Sequence, residues 1–271
     1  MLLSTERHKE YERDGYVVVA DAFFPHELNL IRQRIGELSK VDDESRVLER
    51  DGRTIRALHG CDQRDALLAR LVCHPSLLEP AQQVIGGEVY TYQFKVNTKA
   101  AFRGDVWPWH QDYAFWKNED GMPEPRAVSA MLFLDDVTEF NGPLYFMTGS
   151  HREGCIPQSH LDGGDHDRWR SDVSADLTYQ LSEQQMLDLT SRYELAAPKG
   201  AAGSVVFFAP NLVHGSPSNI SASSRRVLIV TYNALDNIPK PSEHPRPEFL
   251  VARPSGALAV IPREVCFAVL P

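Results

Sequence analysis

The periodicities along this chain predict a mainly β protein with flanking helices, a double-stranded β-helix or jelly roll of the cupin kind. Three observations carry that expectation. Helical patterns dominate the first part of the chain, and short runs rich in Val, Phe, Tyr, Leu and Thr dominate the rest. Five or more such runs follow one another with Gly, Pro, Asn and Asp between them, as in a closed or double-sheet core that carries helices outside. Apolar runs such as Val205–Pro210 and Val227–Val230 are far too short to span a bilayer.

Residues 5–14 read as a polar helix, and Gly15 opens a first strand, Tyr16-Val-Val-Val19. Pro25 starts a helix whose Leu28, Ile31, Ile35 and Leu38 recur at spacings of 3, 4 and 3, one apolar face. Residues 41–56 are polar and charged and read as a loop or irregular segment. A second helical region runs from about Arg64 to Ile85, breaks near His74-Pro75 and stops at Gly86-Gly87. Residues 1–88 thus form a helical N-terminal support.

The strands Val89–Lys99, Ala127–Asp136, Pro143–Gly149, Gly203–Ala209 and Arg225–Leu235 make residues 89–235 the jelly-roll core. Within it, residues 152–198 form a long, weakly periodic insertion with a helix at Ser182–Ser191, which reads as an active-site lid. Residues 236–271, Pro-rich from Pro239 to Pro254, read as an extended C-terminal wrap over the surface. Length alone allows one domain or two; the continuous strand series makes 1–271 a single domain.

The 271 residues are 42% hydrophobic and 24% charged, ordinary for a globular protein. A net charge of −9 gives no electrostatic footprint for nucleic acid. The N-terminus turns charged at once, without a signal-peptide pattern, so a cytoplasmic protein is expected. Cys61, Cys73, Cys155 and Cys266 are scattered and read as reduced thiols. The expected partner is a small molecule, with neither nucleic acid nor membrane, and the protein is expected as a monomer or homodimer.

Chemistry concentrates in His110-Gln-Asp112 and a third candidate, His214, which lies 102 residues after Asp112. On one strand, positions two apart share a face, so His110 and Asp112 point the same way while Gln111 faces away. His214 follows the buried-strand pattern Val205-Val-Phe-Phe-Ala-Pro and precedes Gly-Ser-Pro. Two histidines and a carboxylate form the facial triad of non-haem Fe(II) oxygenases, with positions open for cosubstrate and O2. H-x-D alone is a weak signal; His214 strengthens it. The remaining histidines have blander readings: His8, His26, His59, His74, His160, His166 and His244 as surface or hydrogen-bonding groups, and His151 in a structural turn.

Arg225 lies 11 residues after His214, on a strand expected beside the one leading to His214. Its guanidinium fork suits a carboxylate, with Arg226 as an equal candidate. Ser216 offers a hydroxyl to the same carboxylate. An open metal and a carboxylate clamp together fit a 2-oxo acid that chelates iron at one end.

The chain resembles the phytanoyl-CoA dioxygenase family of Fe(II)/2-oxoglutarate oxygenases from Tyr11 to about Arg253. The densest matches are Asp51-Gly-Arg-Thr-Ile-Arg-Ala-Leu58, Gln93-Phe-Lys-Val-Asn-Thr-Lys99 and Trp109-His-Gln-Asp112, and further matches include Asp120-Gly-Met-Pro123, His214-Gly-Ser216 and Pro245-Arg-Pro-Glu248. Within the family it resembles the ectoine hydroxylase branch, and more closely the branch that 5-hydroxylates free leucine. The resemblance implies a double-stranded β-helix with iron on His110, Asp112 and His214. It implies 2-oxoglutarate held by Arg225 and Ser216, with Gln93, Asn97 and Trp116 lining its site. Oxidative decarboxylation of 2-oxoglutarate with O2 would be coupled to oxidation of an unactivated C–H bond. Related halogenases lack the carboxylate, so Asp112 implies hydroxylation or another oxygen-dependent C–H oxidation, and not chlorination.

One departure concerns substrate. Ectoine hydroxylases carry Phe-Glu-Thr where this chain has Tyr113-Ala-Phe115, a bulky aromatic in place of a small polar residue. That argues against ectoine and for a free aliphatic, leucine-like L-amino acid in a biosynthetic pathway. Arg246 is the candidate clamp for its carboxylate. Asp172, ahead of Asp165, is the candidate for its ammonium, and Phe115 and Tyr113 would line an apolar pocket. The alternatives are a tailoring oxygenase acting on a larger scaffold or an ectoine-like cyclic amino acid, and a metal-binding cupin without oxygen chemistry.

Overall fold

The computed structural model of the protein describes residues 1–160, 168–240, 245–254 and 256–268. Asp165, His166 and His244 lie outside them. Helix α1 (Thr5–Asp14) is capped by the Ser4 hydroxyl and ends at Gly15, φ 81°. A Cβ at Gly15 would sit 2.5 Å from His151 Nδ1, so glycine serves both the left-handed turn and the close approach. Strand β1 (Tyr16–Val19) follows, then α2 (Pro25–Leu38), which begins on its proline and buries Leu28, Ile31 and Ile35.

The segment expected as a loop contains a β-hairpin instead, β2 (Arg46–Leu48) and β3 (Ile55–His59). The hydropathy pattern misses it because two of the residues that β3 buries are Arg56 and His59. Helices α3 (Ala66–Leu71) and α4 (Pro75–Ile85) separate at His74, whose Nδ1 accepts the Ser76 N–H at 3.1 Å as an N-cap.

The core strands are β4 (Val89–Lys99), β5 (Trp107–His110), β6 (Ala127–Phe133) and β7 (Tyr145–Met147). Helix α5 (Asp112–Asn118) follows β5 directly. The insertion carries β8 (Ser159–His160), α6 (Arg168–Ser171), β9 (Tyr179–Gln180), α7 (Glu183–Thr190) and β10 (Leu195–Ala196). Strands β11 (Val205–Phe208), β12 (His214–Ser216) and β13 (Arg225–Ala234) complete the core, and α8 (Arg263–Cys266) lies in the tail.

A seven-stranded sheet, ordered β1-β11-β6-β13-β4-β3-β2, and a four-stranded sheet, ordered β10-β7-β12-β5, form the jelly roll. All their pairings are antiparallel. Strand β13 lies between β6 and β4 and does not neighbour β11, so the expected adjacency of the Arg225 strand and the strand leading to His214 is corrected: β6 separates them. The middle strands of the large sheet, β11, β6 and β13, are buried on both faces, which is why β6 reads as a nearly continuous apolar run. Leu228 and Val230 of β13 pack with Leu28, Ile31, Leu77 and Leu78 of the helices, while Val227 and Ile229 pack inside the barrel. Each such fully buried side chain contributes roughly 1.5–3 kcal/mol.

The tail is more than a surface wrap. Arg246 and Leu250 line the mouth of the barrel, and Leu250 is 2% exposed. All four cysteines are free thiols. Among the described residues no helix is long and apolar enough to cross a membrane.

Candidate active site

His110 closes β5 and His214 opens β12, and the two are paired across the antiparallel ladder with ring centroids 4.2 Å apart. Asp112 does not continue the strand, contrary to the i, i+2 argument: Gln111 is the N-cap and Asp112 the first residue of α5. The strand-to-helix turn still brings the carboxylate back to the histidines. Ligand atoms of His110, Asp112 and His214 all lie within 4.8 Å of one another, and all three residues are buried. Gln111 does face away, donating to the carbonyls of Gly154 and Asn211 and accepting from Ile156 N.

Each histidine places Nδ1 on a carbonyl two residues back: Pro108 O at 2.7 Å and Leu212 O at 2.9 Å. Both Nδ1 atoms therefore hold the proton, and both Nε2 lone pairs are free for a metal. Burial drives the imidazole of His110 down to about 3 and lowers that of His214, so both are neutral at working pH. Burial pushes the Asp112 carboxyl up, but the opposing interactions, led by the Lys95 ammonium 3.7 Å away, hold it below the ordinary value. Asp112 Oδ2 is buried without a hydrogen-bond partner. Two neutral imidazoles, an ionised carboxylate and an orphaned oxygen are the donor set an Fe(II) ion requires.

Deeper in the barrel, Arg225 is fully buried, and burial lowers its guanidinium to about 10. One amino group donates to Gly142 O, but Nε has no partner, and no carboxylate lies within 4 Å among the described residues. Ser216 Oγ and Asn97 Oδ1 are also buried and unpartnered. Buried unsatisfied polar groups cost about 1–3 kcal/mol each, so this cluster calls for a ligand. A carboxylate placed here would satisfy Arg225 and Ser216 together. Arg226 is settled otherwise, on the opposite strand face, paired through Nε and an amino group with Asp135 at 2.8 Å.

Gln93, Lys95 and Asn97 of β4 line the cavity with Val227 and Ile229 of β13 and both metal histidines. From α5 come Asp112, Phe115 and Trp116, at i, i+3 and i+4 on one helical face. Tyr113 is off that face: it does not line the cavity, and its hydroxyl donates to Pro123 O at 2.9 Å. The expectation that it helps form the pocket is corrected: the helix turns it away from the face that carries Asp112, Phe115 and Trp116. Trp116 packs edge-on against Tyr92 at 5.3 Å.

Two titratable lining residues, Lys95 and His59, escaped the sequence reading. Lys95 sits between Gln93 and Asn97 on their strand face, with Nζ 3.7 Å from Asp112 Oδ1. The alternation that selected its neighbours selects it too. His59, read as a surface or hydrogen-bonding group, is 3% exposed and pairs with Lys95 across the β3–β4 ladder. Only the hairpin reveals it.

Arg246 reaches in from the tail and is locked between carboxylates. Its Nε and one amino group meet Asp120 at 2.8 and 2.6 Å, and the other amino group meets Asp172 at 3.1 Å. Asp172 also accepts from Thr178 Oγ1 at 2.6 Å, and burial raises its carboxyl despite Arg246. Asp172 and Val173 project from the insertion into the cavity. Arg56 holds that corner: its Nε donates to Val173 O and one amino group to Ser174 O and Val106 O. Its other amino group pairs with Glu49 at 3.0 Å, and its guanidinium stacks 3.7 Å above the Trp107 ring. The cavity combines these convergent polar groups with apolar walls from Phe115, Leu177 and Leu250, the make-up usual for a small-molecule site.

The family model for phytanoyl-CoA dioxygenase matches residues 11–227. An L-proline trans-4-hydroxylase of Streptomyces griseoviridis is 44% identical over 248 residues, covering 90% of this chain and 91% of that protein. An ectoine dioxygenase of Bordetella parapertussis is 33% identical over 261 residues, covering 93% and 83%. The crystal structure of EctD from S. alaskensis with 2-oxoglutarate and 5-hydroxyectoine superposes with a TM-score of 0.81 at 31% identity, covering 96% of this chain and 87% of that one. The triad, the orphaned clamp deeper in the barrel and these likenesses agree: the chain belongs to the phytanoyl-CoA dioxygenase family and is a 2-oxoglutarate-dependent dioxygenase that uses iron and O2.

Proposed function

We propose that this enzyme hydroxylates an unactivated C–H bond of a free aliphatic L-amino acid in a biosynthetic pathway. The observation that carries the reading is the buried Arg246–Asp172 pair at the cavity wall, opposite charges 3.1 Å apart beside the triad. A zwitterion presents a carboxylate and an ammonium at similar separation. Asp172 takes the ammonium and Arg246 a carboxylate oxygen, while Phe115, Val173, Leu177 and Leu250 enclose the side chain and exclude water. The near full-length relative that acts on L-proline supports this class. Proline and the leucine-like amino acids favoured by the sequence are both members of it.

His110, Asp112 and His214 would hold the iron, and Arg225 with Ser216 would hold 2-oxoglutarate. When bound, iron supplies with 2-oxoglutarate and O2 the oxidising power for C–H hydroxylation. The chain's residues supply placement: Asp112 and both histidines fix the metal, and the α5 face sets the side-chain pocket. The test is purified protein with Fe(II), 2-oxoglutarate and a panel of free L-amino acids that includes proline and leucine. Succinate release coupled to a product heavier by one oxygen atom is expected for at least one of them. Succinate no higher than the substrate-free background across the panel, with turnover on ectoine or a larger scaffold, overturns the reading.

A further inference from the structure

We propose that His59 is a substrate-binding residue whose ring N–H donates a hydrogen bond to the carboxylate of the bound amino acid. The inference rests on the amino-acid reading above and extends it to a group that reading does not use. His59 lines the cavity that holds the triad, yet it is 3% exposed and its Nε2 has no hydrogen-bond partner among the described residues. A buried imidazole nitrogen left bare is costly, and this one belongs to a residue that lines the cavity. Its surroundings select the sign of the missing partner. Lys95 faces it across the β3–β4 ladder, and Arg64 and Arg246 add further positive charge. Burial and these three cations drive the imidazole down to about 3. The ring is therefore neutral, a one-proton donor within a positive field, and an anionic group is the favoured guest.

Arg246 cannot complete a carboxylate site alone. Three of its nitrogens already face Asp120 and Asp172. A substrate carboxylate beside it needs at least one further donor, and His59, which lines the same cavity, supplies one.

The experiment measures binding of L-proline and L-leucine to the Fe(II)·2-oxoglutarate holoenzyme under nitrogen, by the change in its visible absorption band. His59→Leu removes the donor at similar size; His59→Gln keeps an N–H at a similar distance. The leucine variant is expected to bind the amino acid about tenfold to a hundredfold more weakly, while 2-oxoglutarate affinity stays within about threefold. The glutamine variant is expected within a few-fold of wild type. The corresponding amino-acid amide, which lacks the anion, should bind wild type and His59→Leu equally weakly. Undiminished amino-acid binding in His59→Leu overturns the assignment alone, as does an equal loss of 2-oxoglutarate binding. A wild-type holoenzyme that binds neither amino acid overturns the substrate reading and this assignment with it.

Discussion

Arg225 and Arg226 are adjacent in the chain and serve opposite faces of one strand. Arg225 lies in the cavity with Nε unpartnered, and Arg226 is held outside by Asp135. Removing the first should therefore cost cosubstrate binding. Arg225→Gln is expected to raise KM for 2-oxoglutarate about a hundredfold or more, and Ser216→Ala about tenfold. Arg226→Gln should leave it within about twofold, because its partner is an exposed-side carboxylate. Succinate formation against 2-oxoglutarate concentration checks all three, and equal effects of Arg225→Gln and Arg226→Gln would contradict the assignment.

Because the triad provides all three protein donors, single substitutions should empty the metal site. His110→Ala, Asp112→Ala and His214→Ala are each expected to lower bound iron more than about tenfold at equal total iron. Iron measured in the protein after desalting, with circular dichroism to show a retained fold, is the readout. Full iron occupancy in any one variant removes that residue from the ligand set.

His74 makes a stability prediction with a definite sign. It is fully buried, caps α4, and burial holds its imidazole at about 3 against an ordinary 6.5. As pH falls through 6.5 the unfolded chain takes up a proton that folded His74 refuses, so stability is lost with acidification down to about pH 3. His74→Asn keeps a capping oxygen and removes the titration. Between about pH 6 and about pH 4 its unfolding free energy should fall less steeply than that of wild type, by up to ~1.4 kcal/mol per pH unit. Urea unfolding of metal-free protein at several pH values measures this, and parallel pH profiles would refute it.

Arg56 joins the hairpin, the approach to His110 and the insertion through a side chain 1% exposed. Arg56→Met would leave Glu49 buried without its cation and is expected to destabilise the fold by about 3–5 kcal/mol. Adding Glu49→Gln should recover part of that loss. A thermal or urea midpoint unchanged in Arg56→Met would show that the pair contributes little.

Most of the fold was legible because it follows from periodicity. The apolar stripe of α2, the β-branched run of β1 and the long strands β4 and β13 fall where the sequence predicts them. The β2–β3 hairpin was not legible, because a strand that buries arginine and histidine looks like a polar loop. The same blindness hid His59. Tyr113 misled for a related reason: a residue beside a ligand shares its side of the cavity only if the local period is known, and α5 rotates it away.

By itself the sequence determined the ligand set His110, Asp112 and His214, the clamp candidates Arg225 and Ser216, and the class of fold, since residue types and short-range spacing carry those. Only the tertiary structure decided between Arg225 and Arg226, which depends on which face of β13 looks inward. Only it brought Lys95 and His59 beside the triad and placed Arg246 between Asp120 and Asp172. Those meetings join segments far apart in the chain through sheet register and a folded-back tail, and long-range register is written in packing, not in any local run of residues.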